Sequence, residues 1–285
     1  MLPDYITEDF LNQFIASALA EDIGDGDHST LASIPATESK KARLVVKDEG
    51  VLAGVFLATR IFQFFDKTLK IETRMEDGAL VKPGDIAFVV SGLARSILTT
   101  ERLVLNCMQR MSGIATKTNQ LTRLIAGTGA TVLDTRKTTP NFRLLEKWAV
   151  RIGGGSNHRI GLFDMIMLKD NHIDMAGGIE QAIIRTKDYL RANNRNLRIE
   201  IETRNLEEVR KVVDVGGIDI IMLDNMTLND MAQAVRLIGG KYKTEASGNI
   251  TEETIRSVAE CGVDYISVGA LTHSFKSLDL SLKAY

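Results

Sequence analysis

Four stretches between residues 198 and 268 decide the fold: Arg198-Ile-Glu-Ile-Glu202, Ile218-Asp-Ile-Ile-Met-Leu-Asp224, Tyr242-Lys-Thr-Glu-Ala246 and Val263-Asp-Tyr-Ile-Ser-Val268. Each is short, rich in apolar or β-branched residues and bounded by polar residues or glycine, the pattern of a buried strand. Their C-terminal ends fall at 202, 224, 246 and 268, a constant spacing of 22 residues. The segments between them, Leu206–Val215 and Thr251–Cys261 among them, read as amphipathic helices. Repeated strand–helix units demand a parallel sheet covered by helices, which points to an α/β barrel. Upstream, Ala130–Asp134 and Phe163–Leu168 read as two more strands, so six are counted.

In such a barrel the chemistry sits at the C-terminal ends of the strands. Read in order, those ends carry Asp134-Thr-Arg-Lys137, Lys169-Asp-Asn-His172, Glu202, Asp224-Asn225, Ser247-Gly-Asn249 and Gly269-Ala270. Polar residues gather where the apolar strands stop; chance alone would supply only one or two. From Arg136 to Lys169 seven Lys/Arg (136, 137, 143, 147, 151, 159, 169) stand against Glu146 and Asp164, a segment of +5 in a chain of formal net charge −2. Arg143, Lys147 and Arg151 recur at i, i+4 and i+8 and read as a solvated helix face. Arg136, Lys137, Arg159 and Lys169 instead lie at strand ends or in the loop Gly153-Gly-Gly-Ser-Asn-His-Arg159. Guanidinium forks in such places bind carboxylates or phosphates bidentately, so the expected ligand is multiply anionic.

Glu200 and Glu202 share one face of a strand, and Asp224 ends the next. Carboxylates there can hold Mg2+, ribose hydroxyls or a developing cation, or simply pair with barrel lysines. Glu200 lies one layer deeper and reads as the structural member. The small residues Ser247-Gly248-Asn249 and Gly269-Ala270 suit a phosphate in the last loops of a barrel, or only a turn. Of the four histidines, His158 sits inside the basic glycine loop and is the candidate ligand contact. No histidine pair has metal spacing, no Ser-His-Asp order is evident, and no glycine fingerprint or P-loop follows a strand, which argues against a hydrolase, a nicotinamide dehydrogenase and a P-loop kinase.

The 285 residues are 44% hydrophobic and 25% charged, which excludes a disordered, collagen-like or disulfide-stapled chain. The balance of 35 Lys+Arg against 37 Asp+Glu argues against a dedicated nucleic-acid or membrane-surface binder. No apolar run is long enough to span a bilayer, and the first residues lack the features of a secretory signal. Cys107 and Cys261 each stand alone and read as reduced core residues, so the expected location is cytoplasmic.

Ahead of the barrel, residues 8–20 read as an amphipathic helix, Glu21-Asp-Ile-Gly-Asp-Gly-Asp27 as a solvated connection, and 41–92 as strands. Glu76–Asp85 resembles the hairpin of lipoyl- and biotinyl-carrier folds without the context of a modified lysine. Residues 94–126 read as helix, with a break at Ser112-Gly113 and a domain boundary placed there.

Asp134-Thr-Arg-Lys-Thr-Thr-Pro140, Leu145-Glu-Lys-Trp-Ala-Val-Arg151, Gly153–Leu162 and Leu168-Lys-Asp-Asn-His172 together resemble the quinolinate phosphoribosyltransferase family. Glu21–Asp27, Arg110–Thr116, Leu223-Asp-Asn225 and Ser247-Gly-Asn249 extend the resemblance over nearly the whole chain. Asn141-Phe142 after the proline, Ser156, and one extra residue between Glu202 and Asp224 depart from the family pattern. The resemblance implies an N-terminal α/β sandwich (hammerhead-like) domain at 1–112, with the tail 273–285 packing back on it. It implies an incomplete, seven-stranded α/β barrel at 113–272. It also implies a homodimer or hexamer with shared sites, Mg2+, and transfer of phosphoribosyl from phosphoribosyl pyrophosphate to quinolinate with loss of CO2. By motif, Arg136, His158, Arg159 and Lys169 would contact the quinolinate carboxylates, beside Thr135. Lys137 would bridge toward the donor, and Arg102 would reach in from the partner subunit. Glu202 and Asp224 would contact the ribose and the Mg2+–pyrophosphate, and Ser247, Gly248, Asn249, Gly269 and Ala270 would lie at a phosphate. The rival readings are a related transferase for another anionic base and a non-catalytic sensor of dicarboxylates or phosphosugars.

Overall fold

The computed structural model describes residues 2–285. The front of the chain runs α1 (Glu8–Ile23), α2 (His28–Ser33), β1 (Ser39–Val46), β2 (Gly50–Val51), α3 (Val55–Phe65), β3 (Lys70–Thr73), β4 (Leu80–Val81), β5 (Ile86–Leu93) and the long helix α4 (Ala94–Leu124). Next come β6 (Thr131–Leu133), α5 (Arg143–Ile152), β7 (Ile166–Leu168), α6 (Asp170–Ala176), α7 (Ile179–Ala192), β8 (Ile199–Thr203) and α8 (Leu206–Val215). The chain ends with β9 (Ile220–Asp224), α9 (Leu228–Ile238), β10 (Lys243–Ser247), α10 (Ile255–Glu260), β11 (Tyr265–Ser267), α11 (Ala270–His273) and β12 (Leu280–Ala284). Two compact units result. One holds the chain up to Asn119 with Thr138–Gly154 and Leu271–Tyr285; the other holds Gln120–Lys137 and Gly155–Ala270.

The first unit is built on an antiparallel sheet of order β12-β1-β5-β3, with a small β2-β4 pair beside it. Ala42, Leu44 and Val46 alternate along β1 and are buried, which fixes one face of that strand inward. Leu280 and Leu282 of β12 stand opposite Val46 and Leu44, so the C-terminal strand extends the same apolar face. The turn before β4 does more than reverse the chain. Asp77 accepts the Val55 N–H at 2.8 Å and so caps α3, whose own N-cap, Gly54, has no side chain to do it.

Helix α4 runs without the break expected at Ser112-Gly113. A mid-helix glycine weakens a helix by about 1 kcal/mol, but here packing outweighs it. The Ser112 hydroxyl accepts the Ala53 N–H at 2.8 Å and donates to the Ala53 carbonyl at 3.1 Å. A methyl on Gly113 would lie 2.3 Å from the Lys276 carbonyl oxygen, so the chain passes too closely for any side chain.

The solvated face expected for Arg143, Lys147 and Arg151 is also corrected. Lys147 is fully buried, Arg143 is half-buried with its Nε donating to Thr138 Oγ1 at 2.9 Å, and only Arg151 is exposed. Residues 145–150 of α5 are all buried, so this helix is enclosed on more than one side. Its Glu146, fully buried, is held by Arg110, whose Nε and Nη2 donate at 2.9 and 2.6 Å, and by the Thr139 N–H at 3.1 Å. Truncating Arg110 to Ala strands that carboxylate. The expected loss is about 3 kcal/mol in denaturant unfolding, against under about 0.5 kcal/mol for Arg151→Ala on the exposed side of the same helix. Equal losses would show that Arg110 does not balance Glu146.

The second unit is a six-stranded parallel sheet of order β6-β11-β10-β9-β8-β7. β6 and β7, consecutive in the chain, lie at opposite ends of that order, which is the topology of an incomplete barrel. All six strands read from the sequence are present. The strand expected at Phe163–Leu168 is shortened to Ile166–Leu168, because the Asp164 carboxylate accepts the Ile160 and Gly161 N–H groups at 2.7 and 2.8 Å and turns the chain there. Of the seven strands the resemblance implies, the remaining one is reduced to a single parallel bridge between Leu133 and Ser156, on the free edge of β6.

Register sets which side chains face the same way. Glu200 and Glu202 of β8 pair with Ile220 and Met222 of β9, while Met222 and Asp224 pair with Glu245 and Ser247 of β10. Paired residues of parallel strands share a face, so Glu200, Glu202, Asp224, Glu245 and Ser247 project to one side. Ile201, Ile221, Leu223 and Ala246 project to the other and are fully buried.

Candidate active site

The end of β6 is tied to the glycine loop through Asp134, which is fully buried and accepts from Asn157 Nδ2 at 2.6 Å and from the His158 N–H at 2.9 Å. The chain then turns, with Thr135 Oγ1 accepting the Lys137 N–H at 3.0 Å. Arg136 emerges half-buried and Lys137 exposed. Arg159 is buried, 8% exposed. Burial holds its pKa below the usual arginine value, and repulsion from Arg136 adds to that, against the opposing pull of Glu200 and Asp164. Two guanidiniums this close, one of them desolvated, gain most from an anion that can satisfy both.

Lys169 follows β7 at the N-terminus of α6, where its own N–H donates to His172 Nδ1 at 3.1 Å. Across the mouth, Glu202 is half-buried, and its pKa is raised by burial and then by Asp224, while Lys169 pulls the other way. Asp224 is oriented by a short chain of amides: its Oδ2 accepts from Asn225 Nδ2 at 2.7 Å, and Asn225 Oδ1 accepts from Asn249 Nδ2 at 3.1 Å. Asn225 and Asn249 both adopt left-handed backbone conformations, with φ of 52° and 49°, which asparagine tolerates better than most residues. Gly248 between them has φ +99°, and a methyl there would meet Asn225 Oδ1 at 2.1 Å, so only glycine fits. A cavity of about 320 Å³ opens beside this loop, lined by Thr227, Ser247, Gly248 and Asn249 among others. Gly269 and Ala270 follow β11 at the start of α11.

Deeper on the same face lies a group that the sequence reading only half found. His158 Nε2 is 2.8 Å from Glu200 Oε2 and 3.5 Å from Glu245 Oε2, and both glutamates are fully buried. Burial, before any other effect, drives both carboxyls well above the ordinary glutamate value. Among the described residues, His158, Glu200 and Glu245 offer ligand atoms within 4.8 Å of one another and could hold a metal ion. Glu245 was missed; its one signal in the sequence is that it stands two residues before Ser247, as Glu200 stands two before Glu202.

The second unit thus brings together Thr135, Arg136, Lys137, His158, Arg159, Lys169, Glu202, Asp224, Ser247, Gly248, Asn249 and Gly269, with Ala270 as its last residue. Arg102 is exposed on α4 in the first unit. Among the described residues no helix is long and apolar enough to cross a membrane.

Residues 114–283 match the family described as quinolinate phosphoribosyl transferase, C-terminal domain, and residues 27–112 match its N-terminal domain. The chloroplastic carboxylating nicotinate-nucleotide pyrophosphorylase of Arabidopsis thaliana is 47% identical over 298 residues, covering 99% of this chain and 84% of the relative. The crystal structure of NadC from Streptococcus pyogenes superposes with a TM-score of 0.92 at 41% identity, over 98% of this chain and 97% of that one. The nicotinate-nucleotide pyrophosphorylase of Francisella tularensis does so with a TM-score of 0.92 at 40% identity, over 98% of each chain. Matched in sequence and in fold along nearly its whole length, the chain belongs to the quinolinate phosphoribosyltransferase family.

Proposed function

We propose that the chain transfers phosphoribosyl from phosphoribosyl pyrophosphate to quinolinate with decarboxylation, giving nicotinate mononucleotide, pyrophosphate and CO2 for NAD biosynthesis. The observation that carries this reading is the pairing of two close guanidiniums, Arg136 and the buried Arg159, with the carboxylates Glu202 and Asp224 in the same barrel unit. The first pair suits a dicarboxylate, and the second suits a ribose whose anomeric carbon becomes positive.

Arg136, Arg159 and Lys169 form the dicarboxylate subsite beside Thr135, with His158 supporting Arg159 through its ring, and Lys137 bridges toward the donor. Glu202 and Asp224 take the ribose, and Ser247, Gly248, Asn249, Gly269 and Ala270 take a phosphate. As the pyridine nitrogen bonds to the anomeric carbon and pyrophosphate departs, positive charge builds on the ribose. Fixed carboxylates stabilise that charge more than they stabilise the ground state. The ribosylated ring nitrogen is cationic and stabilises the electron pair left on the adjacent ring carbon when its carboxylate leaves as CO2; a proton then bonds to that pair. No covalent nucleophile is required.

Glu202 and Asp224 also fit Mg2+: both are hard oxygen donors on adjacent strand ends, and their mutual repulsion favours a cation between them and the donor. When bound, Mg2+ neutralises charge on the leaving pyrophosphate. The working form is a homodimer or a hexamer in which Arg102 enters the partner's site, and the setting is cytoplasmic. Supporting the first point, Arg102 is an exposed cation on the long helix.

The test is substrate choice. Purified protein with phosphoribosyl pyrophosphate and Mg2+ should form nicotinate mononucleotide from quinolinate and not from nicotinate. Product from nicotinate alone would assign a different base, and quinolinate binding without turnover would favour the sensor.

A further inference from the structure

We infer that Glu200 and Glu245 are positioning residues for the dicarboxylate subsite, acting through the His158 ring to hold Arg159 in place. The inference rests on the proposed role of Arg159 as a carboxylate-binding group. Glu200 stands on β8 and Glu245 on β10, two strands apart on one face, and neither reaches the strand ends where substrate binds. Side chains from alternate strands meet in one layer inside a barrel. Here they meet at His158.

Both ring nitrogens of His158 are engaged. Nδ1 accepts the Arg159 N–H at 2.8 Å, so its lone pair is in use and the ring proton resides on Nε2. Nε2 then donates toward Glu200 Oε2 at 2.8 Å, with Glu245 Oε2 at 3.5 Å. The same three residues could gather around a metal ion, but a metal would need the nitrogen that carries the proton. The hydrogen-bonded arrangement is therefore the one the geometry favours.

The consequence lies in the loop. His158 is fastened to β6 through Asp134, to β8 through Glu200 and beside β10 through Glu245. The backbone of Arg159 hangs on the His158 ring, and its Nη1 reaches the Met165 carbonyl at 3.4 Å. A bidentate guanidinium works only in the right place, and a misplacement of about 1 Å costs on the order of 100-fold. Freeing the ring should therefore loosen quinolinate and leave the chemistry largely intact.

The experiment uses the full chain with quinolinate, phosphoribosyl pyrophosphate and Mg2+, comparing Glu200→Ala, Glu200→Gln and Glu245→Ala. The expected result is a quinolinate KM raised about 10- to 100-fold in the alanine variants. Their kcat and donor KM should stay within about threefold, and Glu200→Gln, which can still accept from Nε2, should recover most of the loss. Unchanged quinolinate KM in active variants, or equal loss for both substrates, would overturn the inference. If an alanine variant fails to fold, the wild type still decides. Nitrogen-15 NMR of histidine-labelled protein should show a neutral His158 protonated on Nε2, assigned after replacing the exposed His28, His172 and His273 by Gln. A ring protonated on Nδ1 would refute it. Absence of quinolinate turnover in the wild type would instead sink the proposed function, so the two failures are separable.

Discussion

Replacing Arg159 with Ala raises the quinolinate KM on the order of 100-fold and leaves the KM for phosphoribosyl pyrophosphate within about threefold. The effect is large because Arg159 is buried and already pressed by Arg136, so its charge is poorly solvated until an anion arrives. A carboxylate that loses such a partner is left desolvated and unpaired, which costs about 2–5 kcal/mol, whereas an exposed pair would cost under about 1 kcal/mol. Arg136→Ala should behave alike but more mildly, since Arg136 is only half-buried. Arg159→Lys should not rescue, because an ammonium cannot reproduce the planar fork. Steady-state kinetics with each substrate varied in turn checks this. Equal losses for both substrates would remove the two arginines from the dicarboxylate subsite.

The second large effect belongs to the carboxylates at the ends of β8 and β9. Glu202→Gln and Asp224→Asn preserve shape and remove charge, and each should lower kcat on the order of 100-fold with little change in quinolinate KM. The reason is timing: the charge these carboxylates oppose exists only while pyrophosphate departs. Glu202 should show the greater loss, since burial strengthens its field and already raises its pKa. Asp224→Asn also disturbs the Asn225–Asn249 chain, so the cleaner reading comes from Glu202→Gln. A large rise in KM at constant kcat would make these residues binders of the ground state instead.

The barrel was legible because its signal is local. Ile220–Asp224 or Tyr265–Ser267 carries an apolar core, and the polar residues begin where the strand ends. What was not legible depended on neighbours distant in sequence. Ser112-Gly113 looks like a helix break until Ala53 and Lys276 are seen passing against it. Lys147 obeys a solvated-face periodicity, yet periodicity reports only which residues share a stripe and not whether another element covers it. The strand expected at Phe163 failed because Asp164 spends both carboxylate oxygens on a turn, a choice that propensity does not encode. Within the site, charged residues at strand ends stood out, while Glu245 lay inside a run that reads simply as strand. Its role emerges only when β8 and β10 are set two strands apart with His158 between their glutamates.

In the proposed reaction one site couples phosphoribosyl transfer to loss of the carboxylate beside the ring nitrogen. Quinolinate carrying carbon-14 in its 2-carboxylate reports this coupling when labelled CO2 and pyrophosphate are followed together. The expected result is one labelled CO2 for each pyrophosphate released and none when phosphoribosyl pyrophosphate is omitted. Labelled CO2 formed without the donor, or pyrophosphate released with the label retained in the product, would contradict it.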